Sequence, residues 1–374
     1  MKKSFKYRIY PTKSQVKKLN DNIRACRFVW NYFLKERNDL YINEQRHVSR
    51  FDQINQLAVI KKDFPFLKST YSHSLNQVCT QLDLAFRAFF QRIKKGENPG
   101  YPRFKGTNRL SSINYPEYGV GGCRIKNGKL AVSKIGDIKL VYHRELVGKP
   151  KTATIKRTPT GKWFVSICCE TDDNILHTSD LSVGIDLGIS KFATFSDGTV
   201  IENPRFFKEE EIKLKKAQSK TDKLVKGSKE RFKARKVVNR IHERLSWKRN
   251  NFSHQESRKV INKYQNIILE KLNTQGMIDN NIPNLNKCIT DVAWNKFTSL
   301  IQYKAVEAGR TVILVNPKNT TKTCSQCGKI VDKSLSERVH NCSCGLVLDR
   351  DLNAAINILR LGTQSLQRLC LSAE

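Results

Sequence analysis

Three apolar runs in the C-terminal half of the chain constrain the fold most strongly. They lie within 181–188, 265–270 and 310–317, and the central residues of each segment are mainly apolar. Runs of this kind are typical of parallel strands that are buried on both faces of a sheet. Since helices usually cover both faces of such a sheet, the sequence predicts an α/β domain in this half.

The segments around these runs indicate how that domain is assembled. Residues 208–263 form a long basic stretch that predicts an antiparallel helix pair, broken near Gly227 and Ser228. The other predicted elements are two short strands at 192–198 and 199–203, a helix at 286–308 and a final helix at 349–361. The resulting order, three strands followed by α, β, α, β and α, is that of an RNase H-like nuclease domain.

The N-terminal half follows a different pattern. Residues 3–9 alternate as a strand, and Thr12 with Gln15 forms a capping box that predicts a helix just after Pro11. A second helix is predicted at about 71–95. Short strands are predicted at 122–133, 137–142, 151–157 and 162–169. They favour a small β-barrel or sandwich that the N-terminal strand joins, with the helices inserted as a lobe, followed by a polar linker at 172–180.

The charge of the chain indicates its partners. The 374 residues include 68 Lys and Arg against 34 Asp and Glu, a formal net charge of +34. Such a surface attracts polyanions, and its affinity for them should fall steeply with salt. A solubilising surface or an anionic membrane is the alternative. No apolar stretch is long enough to span a bilayer, and we see neither a signal peptide nor a helix-turn-helix pattern. We therefore expect a cytoplasmic, nucleoid-associated protein that binds nucleic acid.

Four of the eleven cysteines form a compact cluster in the sequence. Cys324 and Cys327 have the spacing of a zinc knuckle, while Cys342 and Cys344 stand one residue closer than is usual. A glycine follows each pair, as in zinc ribbons. The spacing predicts a closed, structural zinc site with four cysteine ligands, and four free thiols are the alternative. His340 lies nearby and is expected to be a solvated loop residue rather than a ligand.

Three carboxylates occupy positions that suit a catalytic metal site. Asp186 and Glu270 each close an apolar run, and Asp351 opens the last helix. Three acids packed together repel one another unless cations neutralise them, and Mg²⁺ prefers such oxygen ligands. Two such ions about 3.5–4 Å apart activate water in phosphodiester hydrolysis. The alternative is that each acid is a cap or turn residue. Asp349 stands two residues before Asp351 at the same helix start, so one of the two aspartates is expected to cap the helix and the other to reach the metals.

Several polar and basic side chains are candidates for nucleic-acid contacts. Gln77 and Gln81 lie on the polar face of the helix at 71–95, where amide side chains suit base edges. The remaining candidates are Arg103, Lys105, Arg231, Arg235, Arg240, Arg244 and Arg249. Plain solvation of a basic face is the alternative for each of them.

The chain resembles the TnpB proteins of bacterial insertion sequences, which are ancestral to the type V CRISPR effectors. The matching segments are YRIYPTKSQ, CRFVWNYFL, AFRAFFQRIK, GYPRFKG, VGIDLGISKFATFSDG, ILEKLNTQGM and KTCSQCG with HNCSCGLVLDRDLNAAINIL. The last block is very specific, and the resemblance extends over nearly the whole chain. The short C-x-C pair departs from the commoner C-x-x-C.

The resemblance implies a function and a domain plan. Such proteins resemble RNA-guided DNA endonucleases that bind a transposon-derived guide RNA, recognise a short target-adjacent motif and cut double-stranded DNA with one RuvC site. The family carries its acids at the positions of Asp186, Glu270 and Asp351, with Mg²⁺ (or Mn²⁺), and Zn²⁺ at the cysteines. The D-x-D-x-N spacing at 349–353 resembles that of the type V effectors, whose catalytic acid matches the second aspartate, which assigns Asp351 to the metals and Asp349 to capping or support of the site. The implied domains are a β-barrel wedge domain at 1–10 and 110–172, a helical recognition lobe at 11–109, a RuvC-like nuclease domain at 181–316 and 346–374, and a zinc-finger, target nucleic-acid-binding module at 317–345.

Two other functional classes remain open at this point. The chain would be a non-cutting nucleic-acid-binding regulator if the three acids had lost their role, although their presence argues against that. It would be a DNA transposase if it used the same acids to join strands, although the sequence has no obvious end-recognition domain.

Overall fold

The structure is a computed structural model that describes residues 1–107, 109–119, 121–173, 175–279, 283–334 and 337–371. The chain divides into two compact units, Met1–Asp172 and Asp173–Glu374. Among the described helices, none combines the length and the apolar character needed to cross a membrane.

The first unit is built on one antiparallel sheet. Its strands are β1 (Lys2–Tyr10), β2 (Ser112–Tyr115), β3 (Cys123–Lys126), β4 (Lys129–Val132), β5 (Gly136–Val141), β6 (Lys149–Arg157) and β7 (Trp163–Glu170), in the order β2-β6-β7-β1-β5-β4-β3. The sheet forms a nearly closed barrel. β1 pairs with both β5 and β7, as the sequence predicts. Strand β2 has no counterpart among the predicted elements.

The helices of the first unit pack on this sheet. They are α1 (Lys13–Glu44), α2 (Arg50–Asp63), a short 3₁₀ helix (Pro65–Ser69) and α3 (Ser72–Lys94). The predicted capping box of α1 is confirmed, since Thr12 accepts from the Gln15 amide and the Gln15 side chain accepts from the Thr12 amide. Helix α2 was missed, although Ser49 and Asp52 form a second capping box at its start. Strand residues such as Tyr7 and helix residues such as Phe33 and Leu75 share one hydrophobic core.

The second unit contains a mixed five-stranded sheet. Its strands are β8 (Ser182–Leu187), β9 (Lys191–Phe195), β10 (Val200–Glu202), β11 (Asn266–Glu270) and β12 (Thr311–Val315), in the order β10-β9-β8-β11-β12. β8, β11 and β12 run parallel to one another, while β9 pairs antiparallel with both β8 and β10. All five strands were predicted, and β8 and β11 are buried as their apolar pattern indicates. The expectation of burial on both faces is wrong for β12, which is only partly buried because it lies at the edge of the sheet.

The helices of this unit also follow the predicted order. They are α4 (Phe206–Asp222), α5 (Lys229–Lys263), α6 (Thr274–Asp279), α7 (Pro283–Val292), α8 (Trp294–Ala308) and α9 (Arg350–Leu371). The prediction of a single helix at 286–308 is wrong, because two helices occupy this segment. Ala293 takes a left-handed conformation with φ of 55°, which ends α7 and starts α8. Helix α6 was also not predicted.

Two glycines allow helix α9 to lie directly on the sheet. A Cβ on Gly184, in β8, would overlap the Ala355 carbonyl and the Leu359 amide of α9. A Cβ on Gly362 would likewise overlap the Ile268 side chain of β11. The missing side chains therefore permit an approach that any larger residue would block. This approach brings the start of α9 close to β8 and β11.

Candidate metal centres

The first candidate centre lies where β8, β11 and α9 meet. Leu269 pairs with Ile185 in parallel register, so the next residues, Glu270 and Asp186, lie side by side at the carboxyl end of the sheet. Asp351 stands in the first turn of α9. The three acids singled out in the sequence therefore come together from three separate elements.

Burial and mutual repulsion dominate the electrostatics of this centre. Asp186 and Glu270 are only 8% and 7% exposed. Burial, followed by the charges of Glu270 and Asp351, raises the pKa of Asp186 well above its ordinary value. Burial also raises the pKa of Glu270, although a hydrogen bond from Thr320 opposes the rise. The site thus concentrates negative charge among buried side chains. A bound divalent cation would reduce the repulsion between the carboxylates.

The two aspartates at the start of α9 have different partners. Asp349 Oδ1 accepts from the backbone amides of Asp351 (2.9 Å) and Leu352 (3.1 Å), which is the geometry of an N-cap. Its Oδ2 accepts from Lys191 Nζ at 2.9 Å. Burial raises the pKa of Asp349, but the Lys191 hydrogen bond and the amides outweigh it and lower the pKa. The Asp351 carboxylate instead accepts from the Arg350 guanidinium at 3.3 Å. The cap assigned to Asp349 is present.

The carboxylates would hold divalent cations, and their surroundings fit that role. Hard oxygen ligands from three acids are the donor set that Mg²⁺ and Mn²⁺ prefer. Among the described residues, the four cysteines are the group of three or more side chains whose ligand atoms all lie within 4.8 Å of one another. The acids are more loosely arranged, although they are close enough for each charge to act on Asp186.

The second candidate centre is the cysteine cluster. Its Sγ atoms lie within 4.8 Å of one another, with Cys324 to Cys344 at 3.7 Å and Cys327 to Cys342 at 3.6 Å. Four thiolates around a tetrahedral zinc with Zn–S bonds near 2.3 Å stand about 3.8 Å apart. The sulfur positions therefore fit one zinc ion, despite the short C-x-C pair.

The local backbone explains how so short a segment forms the cluster. Gly328 and Gly345 follow the two pairs with φ of 79° and 92°, a conformation that glycine adopts without strain. The second pair lies in the turn between two short strands, β13 (Val339–Asn341) and β14 (Val347–Asp349). Burial raises the pKa of Cys324, but the Cys327 and Gln326 amides and the His340 ring lower it to about 5, which favours the metal-binding thiolate.

The expectation for His340 is wrong. The ring is completely buried and its Nδ1 contacts Lys333 Nζ. It lies in β13, whose inward face packs against the cysteine cluster, so the alternation of the strand buries it. His340 is not part of the ligand group found among the described residues.

The nucleic-acid candidates of the first unit differ in exposure. Gln77 and Gln81 are half-buried on α3, beside its apolar stripe. Arg103 is exposed, whereas Lys105 Nζ lies 3.3 Å from the centre of the Trp30 ring. The Lys105 backbone exchanges two hydrogen bonds with the Asn31 side chain, so this segment is fixed against α1.

The five candidate arginines of α5 fall into two groups. Arg235 and Arg240 are exposed, and Arg244 is 57% exposed while contacting Glu210 at 3.4 Å. Arg231 donates to the Leu224 carbonyl at 2.5 Å. Arg249 donates to Asp291 at 2.6 Å and 2.9 Å. Arg231 therefore binds the connection between α4 and α5, while Arg249 links α5 to α7, and the basic sequence alone indicated neither contact.

Sequence reasoning missed three polar residues beside the acids. Thr320 donates to Glu270, and Asn353 and Asn357 donate to the loop that contains Thr320. The asparagines stand four residues apart on an otherwise apolar helix face, which was a readable signal of buried amides. The threonine gave no such signal, since nothing in its local sequence distinguishes it.

Comparisons with known proteins place the chain in a family. A protein of Streptomyces pristinaespiralis, named "Putative RNA-guided DNA endonuclease", is 34% identical over 369 residues, covering 97% of this chain and 90% of that protein. The chain belongs to the TnpB family. InsQ of Escherichia coli (strain K12), described in the same words, is 27% identical over 96% of this chain and 92% of its own length. A TnpB-like protein of Acanthamoeba polyphaga mimivirus is 25% identical over 96% of this chain and 73% of its own.

Family models agree with this TnpB assignment, and one solved structure has a similar fold. Residues 166–281 match the model described as a probable transposase, and residues 294–358 match the Cas12f1-like TNB domain. A model described as a helix-turn-helix domain matches residues 1–46, where this structure has β1 and the single long helix α1. The fold resembles that of Cas12f1 in a complex with sgRNA and target DNA, with a TM-score of 0.58, 14% identity and coverage of 92% of this chain and 82% of Cas12f1.

Proposed function

We propose that this TnpB-family chain is an RNA-guided DNA endonuclease encoded by a transposon. The observation that carries the proposal is that Asp186, Glu270 and Asp351 lie together at the carboxyl end of β8 and β11, in the sheet of the second unit. The strand order and the helices around that sheet support an RNase H-like (RuvC) nuclease domain. The relatives named as RNA-guided DNA endonucleases support the guide RNA and double-stranded target DNA as partners.

The three carboxylates would hold Mg²⁺ or Mn²⁺. When bound there, such ions supply an activated water and stabilise the leaving oxygen of a phosphodiester. The chain positions the ligands with rigid elements, because Asp186 and Glu270 lie on paired strands and Asp351 on a helix that packs against them. Asp349 fixes the start of that helix by capping it.

The cysteine cluster would hold one structural Zn²⁺ in a ribbon at 317–345. All four ligand positions would be filled by sulfur, so this centre would shape the protein and leave no open position for chemistry. The sulfur separations of 3.6 Å and 3.7 Å support this assignment.

The basic surface would bind the guide and the target. We assign the barrel at 1–10 and 110–172 to a wedge domain and the helices at 11–109 to a recognition lobe. Exposed Arg235, Arg240 and Arg244 on α5, with Gln77 and Gln81 on α3, are the proposed contacts. Base pairing with the guide would supply sequence choice, while the protein would read duplex shape and a short flanking motif in the bacterial cytoplasm.

A cleavage assay with and without guide RNA tests the proposal. Protein purified with its co-expressed transposon-end RNA is expected to linearise a plasmid carrying the matching target in Mg²⁺, and to leave it intact in EDTA. Nuclease-treated, RNA-free protein should not cut at that site. Specific cutting without RNA would contradict guide dependence, intact plasmid with RNA and metal would indicate a regulator, and joined strands would indicate a transposase.

A further inference from the structure

A threonine hydroxyl contacts one of the buried acids. Thr320 Oγ1 lies 2.6 Å from Glu270 Oε1 and 3.1 Å from the Pro317 carbonyl. Both neighbours accept, and a hydroxyl has one proton to donate. The contact to Glu270 is the shorter of the two and has the usual length of an O–H···O hydrogen bond, so the proton points to Glu270. Thr320 itself is only 3% exposed, and water does not compete for the bond.

The loop that carries Thr320 is held by helix α9. Asn357 Nδ2 donates to the carbonyls of Thr320 (2.9 Å) and Thr323 (2.6 Å). Asn353 Nδ2 donates to the Thr323 carbonyl at 2.8 Å, and its Oδ1 accepts from the Ser325 amide at 2.9 Å. Both asparagines are buried. Four hydrogen bonds thus attach this loop, on both sides of Cys324, to α9. The first turn of the same helix contains Asp351.

We propose that Thr320 is a positioning residue that orients the Glu270 carboxylate for divalent-cation binding. The inference rests on the proposed metal site. Helix α9 carries Asp351 at its start and fixes the Thr320 loop through Asn353 and Asn357, so one helix aligns two of the three acids. A hydrogen bond to a ligating carboxylate restricts its rotation, and loss of such a partner typically weakens metal affinity or activity about 10–100-fold.

Three substitutions separate the hydroxyl from the shape of the side chain. Thr320→Val keeps the volume and removes the hydroxyl, Thr320→Ala removes both, and Thr320→Ser keeps the hydroxyl. Thr363→Val is the matched control, because Thr363 also lies in the second unit and its hydroxyl donates only to the Leu359 carbonyl on an exposed face of α9. Zinc content and guide RNA binding report the fold of every variant.

Two measurements test the role. Mn²⁺ binding to the full-length, zinc-loaded chain is followed by electron paramagnetic resonance, with Asp186→Ala as the blank. The Mg²⁺ dependence of cleavage is then measured with guide RNA, separating the half-saturating concentration from the maximal rate. Thr320→Val should weaken Mn²⁺ binding and raise the half-saturating Mg²⁺ concentration about 10-fold or more. Thr320→Ser should restore both, and Thr363→Val should match the unmodified chain.

The outcomes distinguish this inference from the proposed function. Unchanged Mn²⁺ binding and Mg²⁺ dependence in Thr320→Val, beside an inactive Asp186→Ala, would overturn the role of Thr320 and leave the nuclease intact. If Thr320→Val lost its zinc, Thr320→Ala would carry the same comparison with Thr320→Ser. Full cleavage by Asp186→Ala would instead overturn the metal site itself.

Discussion

The second unit contains two clusters of side chains that could hold metal ions, and the two clusters are built in opposite ways. The four cysteines lie between Cys324 and Cys344, and two tight turns bring their sulfur atoms to 3.6–3.7 Å. The carboxylates come from Asp186, Glu270 and Asp351, on two strands and a helix that only the folded sheet brings together. One cluster is a local property of a short segment, whereas the other is a property of the whole unit.

The two clusters also differ in how their charge is accommodated. Burial raises the pKa of Cys324, but two backbone amides and the His340 ring lower it to about 5. The Leu346 amide lowers the pKa of Cys344, but burial and the neighbouring cysteines raise it to about 12. The carboxylate cluster has few donors, and burial raises the pKa of Asp186 and of Glu270. A preorganised, amide-stabilised cluster suits a structural ion that stays bound. A strained, dry cluster suits ions whose charge is used at a reacting phosphate.

The largest expected effect lies at Asp351. Asp351→Ala should reduce cleavage to background while guide RNA and target binding persist, because it removes a proposed metal ligand and leaves the basic surface unchanged. A cleavage time course at matched folded concentration measures this. Asp349→Ala serves as the control and should retain measurable cutting. An active Asp351 variant beside a dead Asp349 variant would reverse the roles of the two aspartates.

The cysteine cluster should respond in metal content. Cys324→Ser combined with Cys327→Ser should lower zinc from about one equivalent to none, since two sulfur ligands cannot retain a structural ion. Elemental analysis of protein purified without added zinc measures the change. Cys288→Ser is the control, because Cys288 is an exposed thiol outside the cluster. Full zinc content in the double variant would show that the ion is bound elsewhere.

Repulsion among the buried carboxylates should lower the thermal stability of the metal-free protein. The folded-state pKa of Asp186 is raised, so the folded chain binds the proton more tightly than the unfolded one, and stability falls as pH rises above about 4. Asp186→Asn removes that charge. In metal-free protein at pH 7 its melting temperature should therefore rise by about 2 °C or more, equivalent to about 1 kcal/mol.

Two comparisons test whether the change in melting temperature comes from the carboxylate cluster. Asp180→Asn, at an exposed aspartate, should leave the melting temperature unchanged. Added Mn²⁺ should stabilise the unmodified chain more than the Asp186 variant and so reduce the gap. A variant that is less stable than the unmodified chain in EDTA would show that repulsion among the acids is not significant.

The smallest expected effect concerns the cap of α9. Asp349→Ala removes the acceptor for two backbone amides and should lower the free energy of unfolding by about 1 kcal/mol. Asp349→Ser retains a capping oxygen and should recover most of that loss. Urea denaturation followed by circular dichroism measures both. Equal losses in the two variants would assign the effect to the Lys191 ion pair instead of the cap.

The sequence was a good guide wherever a pattern is local. Apolar runs indicated β8, β11 and β12, the capping box located α1, and the cysteine spacing identified the second cluster. The acids were found because each stands at the end of a predicted element. Helix α2 was missed because its apolar periodicity is weak, and the break at Ala293 was missed because alanine normally continues a helix.

Only the tertiary structure decided which distant groups meet. By itself the sequence determined most of the elements, the zinc-type spacing and the three candidate acids. The fold determined that His340 is buried, that Arg249 is paired with Asp291, and that Thr320 donates to Glu270 across 50 residues. The physical reason is that spacing along a chain reports on neighbours within a few turns or strands. Burial and hydrogen-bond partners instead depend on how glycine-permitted packing brings α9 onto the sheet.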